Sequence, residues 1–145
     1  DGVSIGSSTL YLDGIKVGDG GQTTGRLNLT VFPTSDFKFN LALFGADNIF
    51  SNINAEDFDE PDGGNAQLPA YKLFDFGAGY NFDLFGNNAY LRLNINNLFD
   101  EEYYPEMENN YLATDDSTNY MGINTANRIF PGWGRTWNVG LTYRF

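Results

Sequence analysis

The last ten residues of the chain, Thr136 to Phe145, read TWNVGLTYRF. Every second side chain in this stretch is apolar: Trp137, Val139, Leu141, Tyr143 and Phe145. The residues between them are small or polar. Because successive side chains of a β-strand point to opposite faces, the pattern predicts a strand with one apolar and one polar face.

Four further segments alternate in the same way. They cover residues 25–33, 36–46, 70–82 and 89–98. Together with residues 136–145 they make five predicted strands. No stretch of comparable length has apolar residues at helical spacing. The sequence therefore predicts an all-β fold.

The predicted connections alternate between short and long. Residues 33–36 and 83–88 are short and rich in turn-forming residues, which favours antiparallel hairpins. Residues 1–24, 50–68 and 98–135 are long. Short turns at one end of the sheet and long loops at the other are typical of an antiparallel transmembrane β-barrel of the outer membrane. A soluble sandwich has no reason to segregate its loop lengths in this way.

Composition excludes several classes of function. The chain has 145 residues, with 8 Lys and Arg against 19 Asp and Glu, a net charge of -11. Such acidity argues against binding to nucleic acid, whose phosphates require clustered cations. Cys and His are absent, which excludes disulfides, Cys/His zinc sites and His-based catalytic triads. The mean hydropathy is -0.36, and no apolar run approaches the roughly 20 residues of a membrane-spanning helix.

Aromatic residues lie at the ends of the predicted apolar faces. Phe37, Phe82, Tyr143 and Phe145 are at the turn ends, and Trp137 is at the loop end of its strand. Transmembrane barrels carry aromatic girdles at both of these levels. The alternative is that aromatics simply favour strands and cores; the uniformly apolar faces favour the girdles.

Two motifs resemble the C-terminal part of TonB-dependent outer-membrane receptors. The first is Asn97-Leu98-Phe99-Asp100, which is followed by Glu101-Glu102-Tyr103-Tyr104. The second is Gly134-Arg135-Thr136-Trp137, after a long loop and at the start of the final strand. The chain then ends on an aromatic residue, Phe145. The order and spacing of these features carry the resemblance, since each alone is weak.

The resemblance implies a fold and a function. It implies that residues 1–145 are the last five or so strands of a barrel of about 22 strands whose lumen holds an N-terminal plug. Such a receptor lies in the cell outer membrane and takes up a nutrient, which could be a chelated metal, a vitamin, a peptide or a glycan. The expected partners are the remaining strands and plug, the TonB complex acting through the plug, outer-membrane lipid and the barrel-insertion machinery. A surface lipoprotein is left open as a further partner, and no cofactor is expected. The resemblance also marks Tyr143 and Phe145 as the assembly signal.

Residues 98–135 carry the candidate ligand-binding side chains. These are aromatic: Tyr103, Tyr104, Tyr111, Tyr120 and Trp133. On an outward-facing loop they could stack on a sugar or another flat ligand. The alternative, which we favour, is that they pack the loop against its neighbours.

Charged residues give weaker signals. The acidic cluster Glu56, Asp57, Asp59, Glu60 and Asp62 lacks the ligand spacing of a calcium loop and is interpreted as a solvated loop, so no metal site is expected. Adjacent carboxylates such as Asp115-Asp116 or Glu101-Glu102 do not suit glycosidase chemistry, and no enzymatic activity is expected. The cations on the polar faces are expected to pair with carboxylates of the wall or plug: Arg26, Lys38, Arg92 and Arg144.

A second class of function stays open. A soluble, secreted β-sandwich serving as a carbohydrate-binding or adhesion module would also be acidic, aromatic and free of cysteine. That fold requires the apolar faces to meet in a two-layer core. A closed eight-stranded barrel is a third fold, and it needs three strands that the sequence does not indicate.

Overall fold

The computed structural model describes residues 9–51, 58–59 and 64–145. It confirms the all-β prediction, with antiparallel strand pairs and no α-helix in these residues. The strands are β1 (Gly21–Val31), β2 (Phe37–Phe50), β3 (Gln67–Leu68), β4 (Tyr71–Leu84), β5 (Asn87–Asn96), β6 (Glu106–Glu108), β7 (Asn119–Tyr120), β8 (Ile123–Asn124), β9 (Arg128–Phe130) and β10 (Thr136–Tyr143). Within the described ranges, no helix has the length and hydropathy needed to cross a membrane.

The long strands form one sheet in the order β1-β2-β4-β5-β10, with β3 paired to the end of β2. The pairs β2–β4, β4–β5 and β5–β10 are antiparallel and in unbroken register. Strands that follow each other along this path are neighbours in the sheet, so the topology is a meander.

The register places like faces side by side across the sheet. One cross-strand row is entirely apolar: Phe39, Ala78, Leu93 and Val139. The adjacent row points to the other face: Lys38, Gly79, Arg92 and Gly140. Because each strand alternates with period two, the central rows follow this pattern, whereas near the end of β2 Phe44 and Leu73 lie on the polar face and Lys72 on the apolar face. The sheet therefore has one apolar face and one polar face.

Much of the apolar face is exposed. On β10, the fractional exposure is 71% for Trp137, 58% for Val139 and 59% for Leu141. Large side chains on β1 and in the centre of the sheet are exposed too, including Leu27 and Leu91. In the described part of the chain, this face is not the buried side of a two-layer core.

Two tight connections close the hairpins at one end of the sheet. Residues 32–36 join β1 to β2, and the Thr34 hydroxyl accepts hydrogen bonds from the N–H groups of Asp36 and Phe37. Phe85 and Gly86 join β4 to β5, with φ angles of 55° and 81°. Two successive positive φ angles define a type I′ turn, whose twist matches that of paired strands.

The strand bounds differ from the predicted ones by a few residues. The predicted strand 25–33 is observed as Gly21–Val31, since Gln22 and the threonines after it extend the ladder without adding apolar alternation. The predicted 36–46 continues to Phe50, and the predicted 70–82 is Tyr71–Leu84. The predicted 89–98 is Asn87–Asn96, because Asn97 has a φ of 50° and leaves the strand. The predicted 136–145 ends at Tyr143.

The chain divides into two compact units. The sheet unit comprises Thr23–Asp47, Ala70–Tyr103 and Gly132–Phe145, and the loop unit comprises Asp1–Gln22, Asn48–Pro69 and Tyr104–Pro131. Most of the fully buried large side chains belong to the loop unit: Ile49, Phe58, Leu68 and Met107.

The predicted loop 98–135 is more ordered than the sequence indicated. It contains β6 to β9, which pair as β6–β9 and β7–β8. The predicted loop 50–68 likewise contains β3, and β1 begins within the predicted loop 1–24. Strands of two or three residues are too short to produce a detectable alternation of polar and apolar side chains, so their positions could not be predicted.

Candidate functional site

Asn97 is the centre of the best-defined polar arrangement in the sheet unit. Its side chain is 4% exposed and its Nδ2 donates to the carbonyl oxygens of Glu101 (2.9 Å) and Trp133 (3.3 Å). Its Oδ1 accepts the Glu101 N–H at 2.8 Å, and its own backbone N–H donates to the Asp75 carboxylate at 3.0 Å. An amide that both donates and accepts is needed to make these contacts, which accounts for Asn at this position.

Asp100 makes the second connection between the two motifs. Its carboxylate accepts the backbone N–H of Arg135 at 2.6 Å. The Arg135 guanidinium in turn lies 3.5 Å from the Leu98 carbonyl oxygen. Leu98 is itself fixed, because its N–H donates to the Phe74 carbonyl oxygen at 2.6 Å. The backbone N–H groups of Asn97, Leu98 and Glu101 thus each have a hydrogen-bond partner where the chain leaves the sheet.

The two motifs of the sequence are therefore one structural unit, which we call the latch: residues 97–100 together with residues 133–137. Asn97 and Trp133 are 36 residues apart in the chain and are joined directly. At the end of the latch, Thr136 pairs with Asn96 and Trp137 with Ile95 as β10 begins. The latch fixes the register at which β10 enters the sheet.

The candidate ligand-binding aromatic residues differ in packing and exposure. Tyr103 packs on Tyr71 with ring centroids 4.6 Å apart, and its ring occupies the space that a β-carbon on Gly132 would need. Trp133, by contrast, is 83% exposed. In the sheet unit, Trp133 is thus the candidate whose ring surface is open to a ligand.

The other three candidates belong to the loop unit. Tyr104 is buried and meets Tyr120 edge-on at 6.3 Å, which favours the packing interpretation for Tyr104. Tyr111 is exposed, and its backbone is held by Asn127, whose Oδ1 accepts the Tyr111 N–H and whose Nδ2 donates to the Tyr111 carbonyl oxygen. Of these three candidates, Tyr111 and Tyr120 are exposed.

The residues of the expected assembly signal lie at the turn end of the apolar face. The Tyr143 hydroxyl accepts a hydrogen bond from Asn87 Nδ2 at 2.9 Å. The Tyr143 and Phe145 rings are 6.2 Å apart, and Phe145 is fully exposed beyond the end of β10. At this same end, the Tyr80 ring packs against both Phe37 and Phe82.

The expected ion pairs of the polar face are not made within the described chain. In its described part, the ion pair within 4 Å joins Arg128 and Glu108 of the loop unit. Lys38 instead lies over the Tyr90 ring, 5.8 Å from its centroid, and Arg26 donates to Asn28. Arg92 and Arg144 have no carboxylate within that distance among the same residues.

Other charged groups add no site. Of the acidic cluster, Asp59 is described and exposed, whereas the other four members lie outside the described residues. Where the structure describes the chain, no three metal-ligating side chains converge.

Some organising residues were not found from sequence. Asn110 accepts hydrogen bonds from Ser51 Oγ and the Ala66 N–H, both at 2.6 Å, and its Nδ2 donates to the Gly64 carbonyl oxygen. No local sequence pattern indicates this role, because the partners of Asn110 are more than 40 residues away.

Comparison of the chain with models of protein families, with curated proteins and with solved structures found no match.

Proposed function

We propose that this chain is the C-terminal wall of a TonB-dependent outer-membrane receptor that takes up a nutrient. The observation that carries the proposal is the sheet itself: one face is apolar across four paired strands and exposed, and the other is polar. In water, leaving a Leu or Val side chain unburied forgoes about 1.5–3 kcal/mol. A hydrocarbon environment removes that cost.

The edges of the sheet support a larger barrel. In the described residues, β1 and β10 are the outer strands, each hydrogen-bonded to one neighbour. In lipid, each unpaired backbone group costs several kcal/mol, so an open sheet does not span a bilayer. Further strands of the same receptor would pair with β1 and β10 and close the wall.

The connections support an orientation. The two tight turns lie at the periplasmic end, and the latch and the long connections lie at the extracellular end, in the pattern usual for outer-membrane barrels. Aromatic rings occur at the turn end of the apolar face, as an interfacial girdle requires. Trp137 occupies the opposite end.

The role of the receptor follows from these assignments. Its extracellular connections bind the nutrient, with Trp133, Tyr111 and Tyr120 as the exposed rings available for stacking. The rest of the barrel, the plug and the TonB complex supply transport, and the barrel-insertion machinery acts on Tyr143 and Phe145. The chain carries no catalytic or cofactor role.

A soluble β-sandwich module is the alternative function. It requires a second layer over the apolar face, yet Trp137, Val139 and Leu141 are all more than half exposed. This exposure favours the membrane wall.

Fractionation of cells that make the protein tests the proposal. We expect the protein in the outer-membrane fraction, extracted by detergent and not by high salt, with an intact mass several-fold above the 16.2 kDa of this chain. A protein that stays soluble without detergent at a mass of 16.2 kDa would contradict the proposal and favour the sandwich.

A further inference from the structure

We propose that the polar face of the sheet holds a binding site for a small solute that carries a carboxylate. The site is centred on Lys38 and Arg92, with Tyr90 between them and Arg144 at one side. It rests on the proposed function in one respect: the polar face lines the lumen through which a solute passes.

The register builds the site from alternating cations and glycines. Lys38, Gly79, Arg92 and Gly140 form one row across β2, β4, β5 and β10. The phenol of Tyr90 extends over Gly79, where a β-carbon would collide with it, and the Lys38 ammonium lies 5.8 Å from the centre of the Tyr90 ring. Gly79 thus leaves room for the Tyr90 ring between the two cations, and this ring forms the floor of the space above them.

The charge of this face is opposite to that of the chain. Four of the 8 Lys and Arg residues alternate onto it, although the net charge of the chain is -11. Its two strand carboxylates are already engaged: Asp75 accepts the Asn97 N–H, and Asp83 accepts the Gly86 N–H at the turn. No carboxylate of the described residues lies within 4 Å of Lys38, Arg92 or Arg144. The centre of the face therefore presents positive charge for an anion to neutralise.

The size and polarity of the space select the kind of anion. Two open cavities, of about 200 and 360 Å³, share Lys38 and Tyr90; Arg92 lines the first and Arg144 the second. Asn40, Asn94 and Thr142 supply neutral donors and acceptors around them. Cations bind a carboxylate through charge-assisted hydrogen bonds, and the amides suit hydroxyl groups of the same solute. The ligand class is a small hydroxylated carboxylate.

Calorimetric titration of the full-length protein in detergent tests this inference, with glucuronate as the probe and glucose as its neutral counterpart. We expect glucuronate to bind, glucose not to bind, and affinity to fall as salt is raised. Arg92→Gln and Lys38→Gln should each weaken binding about tenfold or more. Lys72→Gln is the matched control, because Lys72 alternates onto the opposite face, and it should leave binding unchanged. A circular dichroism spectrum checks that each variant is folded.

Three results would overturn the site: no glucuronate binding by the folded protein, equal binding of glucose, or loss of binding in Lys72→Gln to the same extent as in Arg92→Gln. If an acidic peptide binds and glucuronate does not, the polar face binds a protein segment. That result would also overturn the proposed small-solute site. Each of these can occur with the protein still in the outer membrane, so this failure is distinguishable from failure of the proposed function.

Discussion

The ring of Tyr103 fills the space where a β-carbon of Gly132 would lie, and the Gly132 N–H donates to the Tyr103 carbonyl oxygen at 2.8 Å. Tyr103 follows the first motif of the latch, and Gly132 precedes the second. The contact therefore joins two segments of the sheet unit: the segment where the chain leaves after β5 and the segment where it returns before β10.

Replacing Gly132 by Ala should destabilise the protein. The new methyl group overlaps the Tyr103 ring and must displace it from Tyr71, at a cost of about 1–3 kcal/mol. The free energy of unfolding from urea titration in detergent measures this cost. Gly25→Ala is the control, because a β-carbon there meets nothing within 4 Å. Equal stability of the two variants would refute the contact.

Asn97 should be more sensitive than its small size suggests. Asn97→Ala leaves the Glu101 N–H and two carbonyl groups without their partner and places Ala at a φ of 50°, so we expect a loss of about 3 kcal/mol. Asn97→Gly removes the same hydrogen bonds but tolerates the positive φ. It should be about 1 kcal/mol less destabilised than Asn97→Ala. An Asn97→Ala protein as stable as the wild type would show that the latch contributes nothing.

Two glycines of the same cross-strand row should respond differently to a methyl group. At Gly79 a β-carbon collides with the Tyr90 phenol, whereas at Gly140 the nearest atom is 3.9 Å away, on Arg92. Gly79→Ala should lose about 1–3 kcal/mol. Gly140→Ala should be neutral or slightly stabilised, since Ala costs less entropy than Gly in a strand. Thermal unfolding of both variants provides the comparison, and a reversed order would contradict the described packing of Tyr90.

The turn between β4 and β5 contains a residue, Phe85, whose replacement should increase the stability of the protein. Phe85 has a φ of 55° and is 89% exposed, so its ring gains little while its backbone is strained. Asn is well suited to this position of a type I′ turn, and Phe85→Asn should stabilise the protein by about 0.5–1 kcal/mol. Phe32→Asn is the matched control, because Phe32 is also exposed but lies outside that turn. If both variants are stabilised equally, the turn geometry is not the cause.

The sheet could be predicted because period-two alternation is a local property. In Thr136–Tyr143 the polarity of each side chain indicates which face of the strand it lies on. The register with β5 then follows, because the apolar faces of the two strands must coincide. Chain positions that alternate weakly were mispredicted: the start of β1 at Gly21 is polar, and the end of β2 at Phe50 follows polar Asp47 and Asn48.

The latch could be identified as two motifs but not as one structure. The contact between Asn97 and Trp133 depends on how the chain returns after 36 residues, which no local pattern encodes. The same holds for Asn110 and Asn127, whose amides organise loops through partners distant in sequence. The polar face was expected to contain ion pairs; its carboxylates instead bind backbone N–H groups at its two ends.

The central claim is that the apolar face contacts lipid, and Trp137 reports on it directly. The 145 residues contain 2 Trp residues, so Trp133→Phe, together with Phe at every Trp in the rest of the full-length receptor, leaves Trp137 as the single Trp, on the apolar face. In membranes containing lipids with brominated chains, we expect strong quenching of Trp137. A second variant, Trp133→Phe/Trp137→Phe/Asn138→Trp, moves the fluorophore one residue to the polar face and should not be quenched. Quenching of Trp137 by aqueous acrylamide alone, with no effect of brominated lipid, would contradict the account.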